Sequence, residues 1–300
     1  MALVLVIGTV ALDQPIWLHQ PLRPGGRSWG RSQAGELKGR LGGGAANAGC
    51  ALRAAGHRVL VASILAEDMD GAEARRLAEA AGLDLRLTGV WPGRSSKTLI
   101  LIDPNGERTI VGVVDGGLDR AAMQRIRPSI PGPSALAEVR PDGLFVRGAY
   151  EGAVDWARAV SGPVLLHWPS GTYSGEADVV VASADDLPAE TVRDPYMTVA
   201  AMLGPRLRWV VVTHGAAGAV AHGPDGTIAV PATARTVCDA TGAGDVFAAG
   251  LLDALMAGAS MRQALEHACA WGGASVELEG SAHGNAPPEV FKTFEGTLQT

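Results

Sequence analysis

Asp239-Ala240-Thr241-Gly242-Ala243-Gly244-Asp245 runs directly into an alanine-rich helical pattern at 246–256. Glycines just ahead of a helix let the backbone bend so that several N–H groups converge on one point. The partial positive charge of the helix N-terminus adds to them there. Such a nest suits a phosphate, or the charge that develops on a phosphoryl group in transfer. Asp245 stands beside it. As a helix N-cap it would be an ordinary structural device. As the neighbour of an anion nest it would repel a bound phosphate, unless its task is to take a proton from an attacking hydroxyl. Residue types alone leave both readings open.

Working outward, short apolar runs at 3–7, 59–64, 144–146, 164–167, 179–182 and 209–213 alternate with helical patterns at 43–55, 71–81, 246–256 and 261–276, the second of these opened by Asp70. Continuous rather than alternating hydrophobicity implies strands buried on both faces, as in a parallel sheet covered by helices. The expected class is α/β, doubly wound, with residues 1–300 as a single domain. Two stretches break the rhythm. Residues 14–41 are rich in Pro, Gly and Arg, and residues 97–113 read as a hairpin, 98–102 and 108–113, around Asp103-Pro104-Asn105-Gly106. Paired, they would form a small sheet serving as a lid; unpaired, they are surface loops.

A second glycine run, Gly42-Gly43-Gly44-Ala45-Ala46-Asn47-Ala48, opens the first long helix. Small residues there permit close approach by a ligand or simply tight packing of helix on sheet. Asn47 carries a donor and an acceptor suited to a hydroxyl group. Asp13, just past the first strand, would lie at the same rim, where ligands bind at the carboxyl ends of strands. A carboxylate can accept from two neighbouring hydroxyls of a polyol, although a solvated loop aspartate is the plainer reading. Arg147, ending the 144–146 strand, is placed to meet a carboxylate or a phosphate.

Other chemistries are excluded or disfavoured. None of Lys38, Lys97 and Lys292 follows a glycine, so the P-loop pattern is absent. A dinucleotide fingerprint would need glycine where Phe247 stands, and Gly8-Thr9-Val10 supplies no second glycine after the first strand. Cys50, Cys238 and Cys269 form no C-x-x-C, which disfavours zinc ribbons and disulfide frameworks and suggests a reduced cytosol. Lys plus Arg total 25 against 31 for Asp plus Glu, a formal charge of -6 that argues against a general nucleic-acid binder. The apolar start lacks a basic segment and reads as a buried strand rather than a signal peptide. No apolar run reaches membrane-spanning length.

Together these residues resemble the PfkB group of ribokinase-like kinases. The early signature, G-G-x-x-N, is carried by Gly43-Gly44-Ala45-Ala46-Asn47, and the late D-T-x-G-A-G-D signature by 239–245, with Ala240 at the threonine position and Val246-Phe247-Ala248-Ala249-Gly250 following. Asp103-Pro104-Asn105-Gly106-Glu107-Arg108 and Val211-Val212-Thr213-His214-Gly215-Ala216-Ala217-Gly218 are similar too. The resemblance implies a three-layer αβα sandwich with a mostly parallel sheet and a small β lid, ATP as donor, and Mg²⁺, and it admits a monovalent cation.

Residue by residue, the resemblance makes Asp245 the base and the amides of Gly242, Ala243 and Gly244 the anion hole. It assigns Asp13, Gly43, Gly44 and Asn47 to the acceptor. Thr213, Gly215 and Gly218 would approach the nucleotide, and the 270–275 stretch, with Ala270, Gly273 and Ala274, would form the adenine pocket. Where the family often has N-x-x-E, this chain reads Ser183-Ala184-Asp185-Asp186. Asp186 keeps a carboxylate for the metal and Ser183 only a hydroxyl, which a water-mediated Mg²⁺ contact would tolerate.

The implied activity is ATP-dependent transfer of the γ-phosphoryl group to a hydroxyl of a sugar or related metabolite in the cytoplasm. The alternatives are a nucleoside kinase, or an inactive ligand-binding or regulatory protein on the same fold. The position that ribokinases proper fill with glutamate holds none here, which with Arg147 leans away from ribose. Trp17 and His19 would stack on the acceptor or pack within the lid. No nucleic acid or membrane is expected as partner, and a homodimer through the lid is left open.

Overall fold

The computed structural model describes residues 1–32, 39–105, 108–113, 129–136, 138–148, 150–168, 176–233, 235–281 and 289–295. Residues 33–38 of the expected lid, and Gly106 and Glu107 of the hairpin turn, lie outside them. The first strands are β1 (Leu3–Gly8), β2 (Ala11–Leu18), β3 (Gly30–Arg31), β4 (Arg40–Gly42) and β5 (Arg58–Ala62). They are followed by β6 (Ile64–Ala66), β7 (Gly89–Trp91), β8 (Lys97–Ile102), β9 (Arg108–Val113) and β10 (Gly143–Arg147). The last are β11 (Val164–His167), β12 (Val179–Ser183), β13 (Trp209–Thr213), β14 (Ala219–Gly223) and β15 (Gly226–Val230). The helices are α1 (Gly44–Ala54), α2 (Met69–Ala80), α3 (Ala153–Ala159), α4 (Ala189–Arg193), α5 (Pro195–Leu203), α6 (Ala243–Met256) and α7 (Met261–Ser275).

Eight strands form the central sheet in the order β15-β14-β13-β12-β11-β10-β1-β5. From β5 to β13 every pair is parallel, and β14 and β15 close the edge antiparallel. Alternate residues feed opposite cores, because successive side chains of a strand point to opposite faces. Val4, Val6, Phe145, Leu165, Val179 and Val211 pack with α1, α6 and α7. Leu5, Ile7, Leu144, Val146, Leu166 and Val210 pack with α3 and α5. The result is the expected αβα layering: strands with no polar face need helices on both sides.

A second sheet lies outside this one, ordered β3-β2-β8-β9 with β4 also paired to β2. The 97–113 hairpin thus pairs with the chain just past the first strand. The strand there begins at Ala11, so Asp13 sits inside a strand, opposite Arg40 and Thr98, rather than in a loop. The run read as one strand at 59–64 is two, β5 and β6, in different sheets. The break falls at buried Ser63, whose hydroxyl accepts from the Val10 N–H at 3.2 Å.

Two helix starts differ from the sequence reading. α2 is capped by Asp68, not opened by Asp70; the Asp68 carboxylate accepts from the Gly71 N–H at 2.8 Å, the reach of an N-cap to its third residue. α6 starts at Ala243, capped by left-handed Gly242, so Asp245 lies in the first turn and is not the cap. Among the described residues no helix is long and apolar enough to cross a membrane.

Candidate active site

In an open α/β sheet, ligands bind beyond the carboxyl ends of the strands where the chain order reverses. Here β1 is flanked by β5 on one side and β10 on the other, and the register sets Gly8 opposite Arg147 at that point. The N-termini of α1 and α6 both arrive at this crevice. A Cβ on Gly44 would lie 2.5 Å from Arg147 Cγ and 3.2 Å from Asp245 Oδ1, so a side chain there would displace both. Gly242 is fixed as glycine twice over. Its φ is 76°, and a Cβ would lie 2.6 Å from Asn47 Nδ2.

Asp245 is the meeting point. Asn47 Nδ2 donates to Oδ2 at 2.9 Å and Arg147 Nε donates to Oδ1 at 3.0 Å. Asn47 is buried and Asp245 is 7 % exposed, whereas the Arg147 side chain keeps about a third of its surface. No partner engages the terminal nitrogens of Arg147 among the described residues. An ionised carboxylate offers about four lone-pair positions, so two remain for an incoming hydroxyl. Around the turn, the N–H groups of Gly242 and Gly244 have no backbone partner among the described residues. That of Ala243 bends back to the Ala240 carbonyl at 3.3 Å. Two of the three expected amides thus have no backbone acceptor among the described residues, and the third is engaged by a long bond.

Asp13 is 5 % exposed and accepts from the Ser281 hydroxyl at 3.1 Å. Burial pushes its carboxyl above the usual range, against the Ser281 bond and the charge of Arg40. Gly42 gives it room, since a Cβ there would fall 2.0 Å from Oδ2, and Gly43 lies against Thr9. Of the acceptor residues named from the sequence, Asn47 bonds Asp245, Gly44 lies against it, Asp13 is near enough to feel its charge, and Gly43 precedes Gly44 as the cap of α1.

The residues expected from the sequence to approach the nucleotide lie at the end of β13, in the turn after it and on α7. Thr213 ends β13 in register with Ser183 at the end of β12. Gly215 opens an exposed turn and Gly218 is buried against Val230. On α7, Ala270 is exposed and Gly273 and Ala274 are half-buried; the adjacent Gly272 approaches the Ala243 carbonyl, one residue into α6. Asp186 stands apart. It lies in an exposed 3₁₀ turn at Ala184–Asp186, its carboxylate engaged by no ion pair or hydrogen bond among the described residues. Trp17 is half-buried in β2, and His19 is exposed, its N–H donating to the Trp29 carbonyl.

Sequence reasoning missed three residues here. His167 ends β11 with Nε2 3.6 Å from where a Gly244 side chain would begin. Its Nδ1 faces the Trp168 carbonyl at 3.1 Å, which can only accept, so Nδ1 carries the proton and Nε2 presents a lone pair. Burial, helped by Arg147 and opposed by Asp245, pulls its pKa down to about 4. Arg40 and Arg108 come from the second sheet: Arg40 Nη2 donates to Asp239 at 3.0 Å and Arg108 Nη1 to the Thr241 hydroxyl at 2.9 Å. A polar residue at the end of a parallel strand was the available signal for His167. None existed for the arginines, whose partners lie far away in sequence.

The pattern of the pfkB family of carbohydrate kinases matches residues 172–287. The ATP-dependent ribose-1-phosphate kinase of Halopiger xanaduensis is 33% identical over 251 residues, 80% of this chain and 81% of that one. The crystal structure of ribokinase from Thermotoga maritima superposes with a TM-score of 0.72 at 17% identity, covering 97% of this chain and 99% of the other. Ribokinase of Arabidopsis thaliana, solved with ribose and ATP, gives 0.70 at 18%, covering 98% and 99%.

Proposed function

Since this chain belongs to the pfkB family of carbohydrate kinases, and so carries out ATP-dependent phosphotransfer, we propose that its acceptor is an anionic pentose of the ribose 1-phosphate class and that Asp245 is the base. The observation that carries this reading is the Asp245 carboxylate, held at the mouth of the α6 N-terminus by Asn47 and Arg147. An acceptor hydroxyl placed on a remaining Asp245 lone pair attacks the γ-phosphorus of ATP. The bond to the ADP oxygen breaks, and the hydroxyl proton passes to the carboxylate. Alcohols are weak acids, so that transfer comes late, and positioning and charge stabilisation contribute more. The amides of Gly242 and Gly244, with the α6 N-terminus, receive the charge on the moving phosphoryl group.

Arg147 separates this chain from a neutral-sugar enzyme. Its Nε orients the base and leaves two terminal nitrogens for an acceptor phosphate, which a guanidinium grips bidentately. The ribose-1-phosphate kinase relative supports the same class. Asp13, buried and strand-borne, is suited to the sugar hydroxyls.

Mg²⁺ favours one or two carboxylates, substrate phosphates and several waters. The unengaged, exposed Asp186 fits that requirement, with the Ser183 hydroxyl beside it. When bound, the ion would neutralise phosphate charge and orient the nucleotide. The unpaired cysteines and the need for ATP favour a cytoplasmic setting. Exposed Ile110, Val111 and Val113 on the edge strand β9 favour pairing of two copies through the second sheet.

The test is an acceptor panel scored by ADP release with Mg²⁺: ribose, ribose 1-phosphate, fructose and inosine. Ribose 1-phosphate should lead in kcat/KM. A preference for inosine or neutral ribose refutes the acceptor class, and an inert protein with intact nucleotide binding points to a ligand-binding role.

A further inference from the structure

Asp239 opens the glycine-rich turn yet has no part in the steps above. It is 6 % exposed, and its lone-pair positions are filled. The Thr241 N–H and hydroxyl bind Oδ1 at 2.9 and 2.6 Å; Arg40 Nη2 and the Gly280 N–H bind Oδ2 at 3.0 and 3.1 Å. Burial pushes this carboxyl up, but the Thr241 bonds and the Arg40 charge outweigh it and hold it below the usual carboxylate range. Asp239 is therefore an ionised strut that shapes the turn from behind. Left uncompensated, its charge would oppose the arrival of a phosphoryl group on the other side.

The compensating charge is Arg40, whose side chain is 15% exposed. Arg40 also faces Asp13 across the β2–β4 register and draws that carboxyl down, so one guanidinium lies between two buried carboxylates. Arg108 adds a more distant charge, 3.8 Å from Asp239 Oδ1. The family resemblance admits a monovalent cation, and the turn is where one would act. The residues present do not fit it. Both carboxylates of the turn, Asp239 and Asp245, already carry an arginine, and Asp239 has no oxygen position to offer.

We propose that Arg40 is a tethered monovalent cation. From β4 it neutralises Asp239 permanently and fixes the turn, so that turnover needs no free alkali-metal or ammonium ion. This rests on the phosphotransfer reading above, and Arg40 is a positioning residue, acting through Asp239 and, across the β2–β4 register, on Asp13.

The test compares the wild type, Arg40→Ala and Arg40→Lys at equal ionic strength in tetramethylammonium, potassium or ammonium chloride. Wild-type kcat should change less than about twofold between salts. Arg40→Ala should lose about 100-fold in kcat with acceptor KM within about threefold, and should regain about tenfold with potassium, ammonium or sub-denaturing guanidinium. Arg40→Lys should keep most of the activity. Melting temperature supplies a readout independent of turnover: potassium should raise that of Arg40→Ala by several degrees and leave the wild type unmoved. If no acceptor is phosphorylated, the function reading fails while this melting comparison still decides the cation proposal. A wild type activated more than about fivefold by potassium overturns it, as does an Arg40→Ala protein with undiminished kcat or with losses that no cation restores. Should Arg40→Ala not fold, the wild type in the two salts decides alone.

Discussion

Replacing Asp245 with Asn keeps the shape of the side chain and removes its proton acceptor. Loss of a positioned general base costs about 10²- to 10⁴-fold in rate, or about 3 to 5 kcal/mol of transition-state stabilisation. The structure adds a second effect. Asn47 Nδ2 and Arg147 Nε are both donors, each now bound to its own carboxylate oxygen. An amide offers one oxygen, so one of the two must face an NH₂ group, a mismatch worth about 1–3 kcal/mol of stability. For a chain this long that lowers the melting temperature by a few degrees. Apart from the α6 amides, the residues proposed to hold the nucleotide lie on β13, its following turn and α7 rather than on this carboxylate, so nucleotide Kd should stay within about threefold. The assay is ADP release at saturating acceptor, with nucleotide binding by calorimetry and melting by fluorescence on the same preparation. A variant keeping kcat within tenfold of wild type would falsify the assignment of the base. Loss of nucleotide binding together with turnover would show instead that the α6 terminus had collapsed.

Arg147→Gln should raise acceptor KM about 10- to 100-fold for a phosphorylated sugar and leave nucleotide KM unchanged; equal losses on phosphorylated and neutral sugars would contradict the grip on phosphate. Gly242→Ala forces a Cβ within 2.6 Å of Asn47 Nδ2 at a positive φ, so melting should drop by an amount equivalent to about 1–3 kcal/mol and kcat should fall with it. A thermal scan at native stability would disprove the packing argument. The third case concerns pH. Burial raises the Asp253 carboxyl, but hydrogen bonds from His267 and His57 and the Phe294 N–H win and bring it to about 2. A carboxyl lowered in the folded state stabilises it above the unfolded pKa, near 4, and that contribution, on the order of 2 kcal/mol, is lost as pH falls towards 2. Acid titration should show a shallower loss of stability in Asp253→Asn than in wild type; parallel curves would rule the cluster out as an acid-labile latch.

Much of the site was legible because its signals are local. Glycines 242 and 244 followed by a helical pattern imply outward amides wherever they occur, and the strand-end position of Arg147 placed it at the rim before its partner was known. Other features were not legible. The sequence suggested Asn47 for an acceptor hydroxyl, yet its amide is engaged by Asp245, across 198 residues. Asp245 read equally well as a cap, until the helix proved to begin at Ala243 and put the carboxylate in its first turn. Asp13 read as a loop residue because a two-residue connection, Thr9 and Val10, leads from β1 into a strand of a different sheet. Periodicity cannot mark such a change of partner, since both strands look alike along the chain.

Composition and local pattern were enough to settle the layering and to point to an anion nest: backbone reach and hydrophobic burial act between near neighbours and leave a readable rhythm. Tertiary structure alone decided the charges around that nest: which arginine meets which carboxylate, and so that Asp239 is held ionised. A buried ion pair depends on distance and solvent exclusion between groups remote in sequence. Neither quantity exists until the central sheet has brought Arg147 to Asp245 and the second sheet has docked beside the turn.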